Sequence, residues 1–408
     1  MEIGPILAAM SRNKVGAILV AVQMAMTLAI LCNSLTIIHQ RLTLSDRPSG
    51  ADEAHIFAIT NQWVGQPADM EGLLQADLAA LRSLPGVVDA YATNSYPLTN
   101  SGSGDKVNLR PDQAHMGSHM ARYFADEHSI DTLGVRLIAG RNFTAADFRP
   151  WHGNEQVTPA AMIITRALAE QLFPGGNAVG QSVYLSGDNV HAVPIVGVID
   201  RLQSPWVSGV PWATSWVDNS ALEPFHYLVQ SFFYVVRVQP GQLEALMQRA
   251  PQRLYEVHRA RVIDKVQSLA QARHVVYCDD RGMAVCLSVV CAVLLAVTAF
   301  GTVGLTSYWV AQRRRQIGIR RALGATRAAV VRYFQTENLL ISICGASVGV
   351  LLAMAVNLYM VKSFELGTLR GTYTIAGAVV VVLLGQVAAL WPALRAASIP
   401  PATATRSV

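Results

Sequence analysis

Charged side chains are scarce in this sequence. Of its 408 residues, 14% are Asp, Glu, Lys or Arg and 52% are hydrophobic, whereas roughly a quarter of the residues in a soluble protein are charged. This balance argues against a soluble enzyme and favours a membrane protein. The net charge of +5 does not indicate a nucleic-acid partner, because much of the excess lies in one short segment between apolar runs.

Motifs of cofactor and catalytic chemistry are also missing. The sequence has no G-x-x-x-x-G-K-[ST] loop to hold nucleotide phosphates, no H-E-x-x-H metal motif and no G-x-S-x-G nucleophile elbow. Asp126, Glu127 and His128 form a polar cluster, but a solvated loop explains them better than a metal site. We therefore expect no catalytic, cofactor or metal residues in this chain.

The cysteines do not pair in any recognisable pattern. All five lie in or beside apolar runs, without the spacing of metal ligands. A large external domain without cysteine pairs suits a bacterial periplasm better than a disulfide-stapled secreted module. The cysteines are Cys32, Cys278, Cys286, Cys291 and Cys344.

Four apolar runs are long enough to span a membrane, since about 18 or more such residues predict a transmembrane helix. The first run is longer than the apolar core of a signal peptide, about 7–15 residues, so we expect an uncleaved helix. The predicted spans are Val15–Ile38, Met283–Tyr308, Glu337–Val361 and Tyr373–Leu394.

A basic segment, Gln312–Arg332, separates the second and third runs. It carries seven arginines and no acidic residue, and basic flanks mark the cytoplasmic side. Residues 1–14, 309–336 and 395–408 should therefore be cytoplasmic, and residues 39–282 and 362–372 external. Apolar residues near helical spacing predict a short amphipathic helix on the membrane surface, which Gly324 can end. Alternatively, the arginines only hold this loop on the cytoplasmic side and have no further role. The spaced residues are Ile317, Ile319, Leu323 and Val330.

The external region reads as a mixed α/β domain. Its pattern is β-α-β, an insertion over about 101–216, and then β-α, which predicts a split ferredoxin-like unit with an inserted subdomain. Within the insertion, Arg141 and Asp147 should pair across a loop. The elements are strands Ala54–Thr60, Val87–Ser95 and Phe232–Val238, and helices Asp69–Leu84 and Gln242–Val257.

The segment Arg249–Asp280 returns to helical spacing. Its apolar residues recur mostly at steps of three and four, which predicts an amphipathic helix leading into the second span. That helix is either a stalk or a helix packed on the external domain. The spaced residues are Leu254, Val257, Arg261, Val262, Val266, Leu269 and Val276.

Two features concern contacts of the third span. Gly345 and Gly349 lie four residues apart, which favours close helix packing or dimerisation. Glu337, at the inner boundary of the span, is placed to pair with an arginine of the basic segment.

The order R-x-x-x-I-G-I-R-R-A-L-G-A-T, from Arg313 to Thr326, resembles the loop between the second and third spans of ABC-transporter permeases of the MacB/FtsX-like family. The resemblance implies a coupling helix that docks on a cytoplasmic ATPase. Gln316 stands where the family usually has an acidic residue. The closing stretch Trp391–Pro401 is also similar, with Leu394 replacing an arginine. The implied coupling residues are Arg313, Gln316, Ile317, Gly318, Ile319, Arg320, Arg321, Leu323 and Gly324.

The external region carries a second resemblance. The orders L-G-x-x-L-x-x-G-R-x-F-T-x-x-D, L-F-P-G-G-N-x-V-G-Q and P-I-V-G-V-I-D resemble the periplasmic core domain of MacB-type permeases. The expected fold is therefore a four-helix membrane protein with a large α+β periplasmic domain on a helical stalk. The implied location is the bacterial inner membrane.

The resemblance also implies a function. In MacB the ATPase precedes the first span, but only fourteen residues do so here, so ATP and Mg²⁺ should be bound by a separate ATPase subunit. Two copies, or one copy with a related permease, should form the core, with a possible periplasmic adaptor. ATP-driven motion would reach the external domain by mechanotransmission, for export of peptides, antibiotics or lipid-linked cargo. The alternative is FtsX-like regulation of a periplasmic partner without transport.

Overall fold

The computed structural model describes residues 14–111, 117–153, 157–186, 188–207, 216–364 and 369–398. These residues form two compact units. One unit comprises Leu44–Asp279, and the other comprises the described residues before and after it. We call them the external unit and the helical unit.

Helices occur in both units. They are α1 (Lys14–Ser45), α2 (Met70–Arg82), α3 (Ser129–Leu133), α4 (Arg166–Leu172), α5 (Leu243–Val257), α6 (Leu269–Val276), α7 (Cys278–Gln312), α8 (Arg314–Ala322), α9 (Arg327–Phe364) and α10 (Gly371–Ala397).

Within the described ranges, the strands lie in the external unit. They are β1 (Ile56–Trp63), β2 (Val87–Thr93), β3 (Ser103–Asn108), β4 (Ser118–Ala125), β5 (Leu137–Gly140), β6 (Arg149–Trp151), β7 (Met162–Thr165), β8 (Ser182–Leu185), β9 (Asp188–Ile199), β10 (Ser220–Tyr227), β11 (Ser231–Val238) and β12 (Arg261–Ser268).

The helical unit is built on four helices that are long and apolar enough to cross a membrane: α1, α7, α9 and α10. Polar side chains form hydrogen bonds between these helices, as is common for helices in lipid. Gln23 Nε2 donates to the Val297 carbonyl at 3.1 Å, and Asn33 Nδ2 donates to the Ala353 carbonyl at 3.2 Å. Gln23 and Asn33 of α1 therefore form hydrogen bonds with neighbouring helices.

The glycine pair of α9 packs inside the chain. A Cβ atom on Gly345 would lie 2.8 Å from the Ala21 carbonyl oxygen, and one on Gly349 would lie 3.0 Å from the Ala25 Cα atom. The backbones of α9 and α1 therefore come into contact at Gly345 and Gly349, because neither glycine has a side chain. Packing within one chain therefore explains the glycine pair, and dimerisation is not needed to account for it.

The ferredoxin-like prediction holds in the first sheet of the external unit. Four antiparallel strands lie in the order β12-β1-β11-β2. The helices α2 and α5 bury their apolar stripes in the same cluster as this sheet, for example Leu74, Leu78 and Leu254. Asp69 begins α2 by accepting a hydrogen bond from the Gly72 amide at 2.7 Å.

The continuous helix predicted over Arg249–Asp280 is wrong. Its middle forms β12, which pairs with β1, and two separate helices, α5 and α6, flank that strand. β12 is the fourth strand of the ferredoxin-like unit. Its end is held by Arg261, which binds Asp77 through two bonds of 2.7 and 2.9 Å.

The inserted subdomain is a second sheet of eight strands. Its path is β4-β3-β8-β9-β7-β10-β6, with β5 on β9, and β4 also pairs with β10. This last pairing closes six strands into a ring. The insertion thus reaches Tyr227 at the end of β10, beyond the predicted limit near Trp216, because β10 pairs with β4, β6 and β7.

Candidate coupling surface on the basic segment

The basic segment folds into the predicted short helix, α8. The helix stops at Ala322 because Gly324 adopts a left-handed φ of +97°. The Gly324 amide donates to the Arg321 carbonyl at 3.1 Å, and the Ala325 amide donates to the Arg320 carbonyl at 3.0 Å. The next helix, α9, then begins at Arg327, well before the predicted boundary at Glu337.

A buried ion pair ties the start of α8 to α9. Arg313 Nη1 lies 2.8 and 3.0 Å from the two carboxylate oxygens of Glu337, and the side chains are only 13% and 4% exposed. The predicted pairing of Glu337 with the basic segment is therefore confirmed. Since each charge neutralises the other, Glu337 is tolerated at the edge of an apolar helix.

An apolar cluster fixes the same region from the other side. Ile317 of α8 packs with Val330 and Phe334 of α9 and with Ala393 and Ala396 of α10. One helical turn of the basic segment is thus held by two long helices. We expect α8 to move with the ends of α9 and α10 rather than independently.

The opposite side of α8 is open. Arg315, Ile319 and Leu323 follow each other at steps of four residues, and all three are exposed, with Ile319 46% and Leu323 83% accessible. We call these three residues the outer face. Large apolar side chains exposed together with a cationic one form a surface of the kind that binds proteins or membranes.

A separate concave site lies between α8 and α9. It has a volume of about 460 Å³, and the Arg320 guanidinium lies 5.0 Å from the centre of the Tyr333 ring. We call it the basic pocket. Its lining residues are Arg313, Gln316, Ile317, Arg320, Ala325, Ala329, Val330, Arg332, Tyr333 and Phe334.

The structure divides the predicted coupling residues by position. Ile319 and Leu323 lie on the outer face, Arg313, Gln316, Ile317 and Arg320 line the basic pocket, Gly318 is buried, Arg321 is half-buried and Gly324 forms the turn. Arg315, Arg332 and Tyr333 were not among the predicted coupling residues. The sequence did contain a signal for Arg332 and Tyr333. Ala329, Tyr333 and Phe334 are spaced as on one side of a helix, which extends the helical pattern of α9 back into the basic segment.

The polar cluster after β4 is not a solvated loop. Asp126 lies 3.4 Å from Arg82, and His128 Nδ1 lies 2.8 Å from Asp89. Burial raises the pKa of Asp126 to about 7, although the positive charge of Arg82 acts to lower it. Across the described residues, no group of three or more His, Cys, Asp or Glu side chains is arranged to hold a metal ion.

Comparison with known proteins identifies both parts of the chain. Residues 23–253 match the MacB-like periplasmic core domain, and residues 288–401 match the FtsX-like permease C-terminal domain. The ABC transporter permease YvrN of Bacillus subtilis is 22% identical over 70% of this chain and 69% of its own length.

The macrolide export ATP-binding/permease protein MacB of Chromobacterium violaceum is 26% identical over 55% of this chain. The match covers only 33% of that protein. The crystal structure of the periplasmic region of MacB from Actinobacillus actinomycetemcomitans is 12% identical, covering 57% of this chain and 97% of that one, with a TM-score of 0.34.

The two family-model matches confirm the predicted resemblance. They agree with the four long apolar helices and the large mixed α/β external unit. The core-domain match alone covers more than half of the chain. The protein belongs to the family of multi-pass ABC transporter permeases that join a MacB-like periplasmic core domain to an FtsX-like permease domain.

Proposed function

We propose that this permease is the membrane subunit of an exporter in which a separate ATPase subunit drives the external unit by mechanotransmission. The observation that carries the proposal is α8, a basic helix held rigidly on one side and open on the other. In this proposal the ATPase binds the outer face of α8 in the cytoplasm. ATP and Mg²⁺ bind that partner.

The anchoring of α8 supports its role as a coupling element. A push on the outer face passes to α9 through the Arg313–Glu337 ion pair and to α10 through Ile317 and its neighbours. Packed interiors resist compression, so such contacts transmit displacement. The helix therefore has the attachments that a lever needs.

The interior of the helical unit favours a lever role for the long helices and argues against a polar pathway through them. Intramembrane charges mark ion and substrate pathways, but residues 338–361 of α9 contain no charged residue. The Thr27 and Thr298 hydroxyls bind each other at 2.8 Å, and Asn33 and Gln23 bind helix carbonyls. These polar side chains serve helix packing.

The working arrangement places two permease copies, or this chain with a related permease, in the bacterial inner membrane with both termini in the cytoplasm. Peptides, antibiotics or lipid-linked molecules are the proposed cargo, handled by the periplasmic domain with an adaptor. The macrolide-export relative supports export. The FtsX-like match of the permease half keeps regulation of a periplasmic partner, without transport, as the second candidate.

The experiment is to purify the full chain from native membranes and to identify what accompanies it. We expect an ABC ATPase. Replacing Ile319 and Leu323 together by Ser should lower its recovery at least tenfold, because each buried Ile or Leu side chain contributes about 1.5–3 kcal/mol. The matched control replaces Ile138 and Leu109, which are each 37% exposed in the external unit, and should leave recovery unchanged.

The outcomes separate the candidates. An accompanying adaptor and outer-membrane channel would support export, whereas a cell-wall hydrolase or a two-component sensor would support regulation. Normal recovery of the ATPase with the Ile319 and Leu323 substitutions would refute docking on the outer face.

A further inference from the structure

The basic pocket differs chemically from the outer face of α8. Among its lining residues, Arg313 is neutralised by Glu337. Arg320 and Arg332 make no ion pair with any residue that the structure describes, and the pocket is lined by no acidic side chain. Two unneutralised guanidinium groups in one concavity favour an anionic ligand.

The same pocket has an apolar part. Ile317, Val330 and Phe334 are buried there, and Ala329 lines the wall. A small inorganic anion would leave this surface uncovered. A ligand with a negative head and an apolar body would use both parts.

The position along α9 suits a membrane headgroup. Residues 338–361 contain no charged side chain, and about 36 Å of helix exceeds the hydrocarbon thickness of roughly 30 Å. Arg332 lies about 9 Å along the axis outside this stretch. That distance puts the pocket within reach of the headgroup layer, because an arginine side chain extends several ångströms from its backbone.

We propose that the basic pocket binds the headgroup of an anionic phospholipid, with Arg320 and Arg332 contacting the phosphate and the apolar wall receiving the start of the acyl chains. Arg320 is held for this contact by the ring of Tyr333. The inference requires only that α9 crosses a membrane, and it does not depend on an ATPase partner. Bound lipid would fill the space between α8 and α9.

The test titrates the delipidated full chain in detergent with dioctanoyl phosphatidylglycerol, and native mass spectrometry follows the complex. Dioctanoyl phosphatidylcholine is the neutral comparison and should bind at least tenfold more weakly. Each arginine near an anionic headgroup strengthens binding about fivefold. The double variant Arg320→Gln/Arg332→Gln should therefore weaken phosphatidylglycerol binding on the order of 25-fold.

The matched control, Arg314→Gln/Arg315→Gln, removes the same charge from exposed positions outside the pocket and should change affinity less than threefold. A second variant, Ala329→Phe, keeps every charge but fills the pocket, and it should abolish phosphatidylglycerol binding. Thermal midpoints without lipid show whether each variant is folded.

Equal losses of phosphatidylglycerol affinity in the pocket variant and in the control variant would overturn the proposal. They would indicate that the lipid is attracted by the overall positive charge of the basic segment and not by the pocket. Displacement of the lipid by an equal concentration of sodium phosphate would overturn it as well, because the site would then recognise phosphate alone. Normal lipid affinity in Arg320→Gln/Arg332→Gln, with loss of a co-purifying ATPase, would assign the pocket to the protein partner instead. Lipid binding that depends on the pocket would support the proposal even if no ATPase accompanies the chain.

Discussion

Replacing Arg261 by Met should destabilise the external unit strongly. The side chains of Arg261 and Asp77 are both 0% exposed, and two hydrogen bonds of 2.7 and 2.9 Å join them. Arg261 Nε also donates to the His258 carbonyl at 2.7 Å, while the Tyr234 hydroxyl donates to Asp77 at 2.5 Å. The substitution leaves a buried carboxylate without its counter-charge.

The size of the effect follows from that burial. Removing one partner of a buried ion pair costs about 3–5 kcal/mol, mostly through the charge left unpaired. For a unit of this size, each kcal/mol lowers the thermal midpoint by about 2–4 °C. We therefore expect a decrease of about 6–20 °C.

The assay follows proteolysis of the external unit against temperature in the detergent-purified full chain. Arg259→Met is the matched control, because Arg259 is an exposed arginine two positions before Arg261. The double variant Arg261→Met/Asp77→Leu should recover part of the loss, since apolar replacement of a whole buried pair is often neutral. A midpoint for Arg261→Met within 2 °C of the Arg259→Met value would refute the reasoning.

Three further predictions test other parts of the molecule. Burial raises the pKa of Asp126 from its ordinary 3.8 to about 7, so the folded state keeps a proton that the unfolded chain releases near pH 4. The stability that protonated Asp126 contributes is therefore present at low pH and is lost as pH rises to 7. Asp126→Asn should remove this pH dependence. The prediction is contradicted if the thermal midpoint changes by the same amount between pH 5 and pH 7.5 in the variant and in the unsubstituted protein. Gly349→Leu should lower the midpoint of the helical unit, because the new side chain meets Ala25 of α1. Gly304→Leu should not lower it, because among the described residues nothing outside the adjacent backbone lies within 4 Å of its Cβ position. Equal midpoints would count against the α1–α9 contact. Tags inserted after Gly65 and after Gly324 should be accessible from opposite sides of the membrane, and labelling of both from the same side would exclude the lever.

The local parts of the fold could be read from the sequence. The stripe of α2 and the strands β1, β2 and β11 have apolar residues at the spacing of their own structure, so their types and approximate bounds were correct. β12 was not predictable in this way. Its most buried side chains include Arg261 and Gln267, while Val262 is 48% exposed, so hydrophobic spacing pointed to the wrong structure. What holds the strand is Asp77, which lies 184 residues away in the chain.

The basic segment shows the same limit at the candidate site. Its short helix and the pairing of Glu337 with one of its arginines followed from residue order, but residue order did not show which arginine forms that pair. In the structure Arg313 is neutralised, Arg320 stacks on Tyr333 in the pocket, and Arg315 lies on the outer face. These differences depend on α9 continuing back to Arg327, which brings Arg332 and Tyr333 beside α8. Charge reversal at Arg320 would therefore perturb the pocket first, so the outer face has to be tested through Ile319 and Leu323, whose substitution leaves every charge of the segment in place.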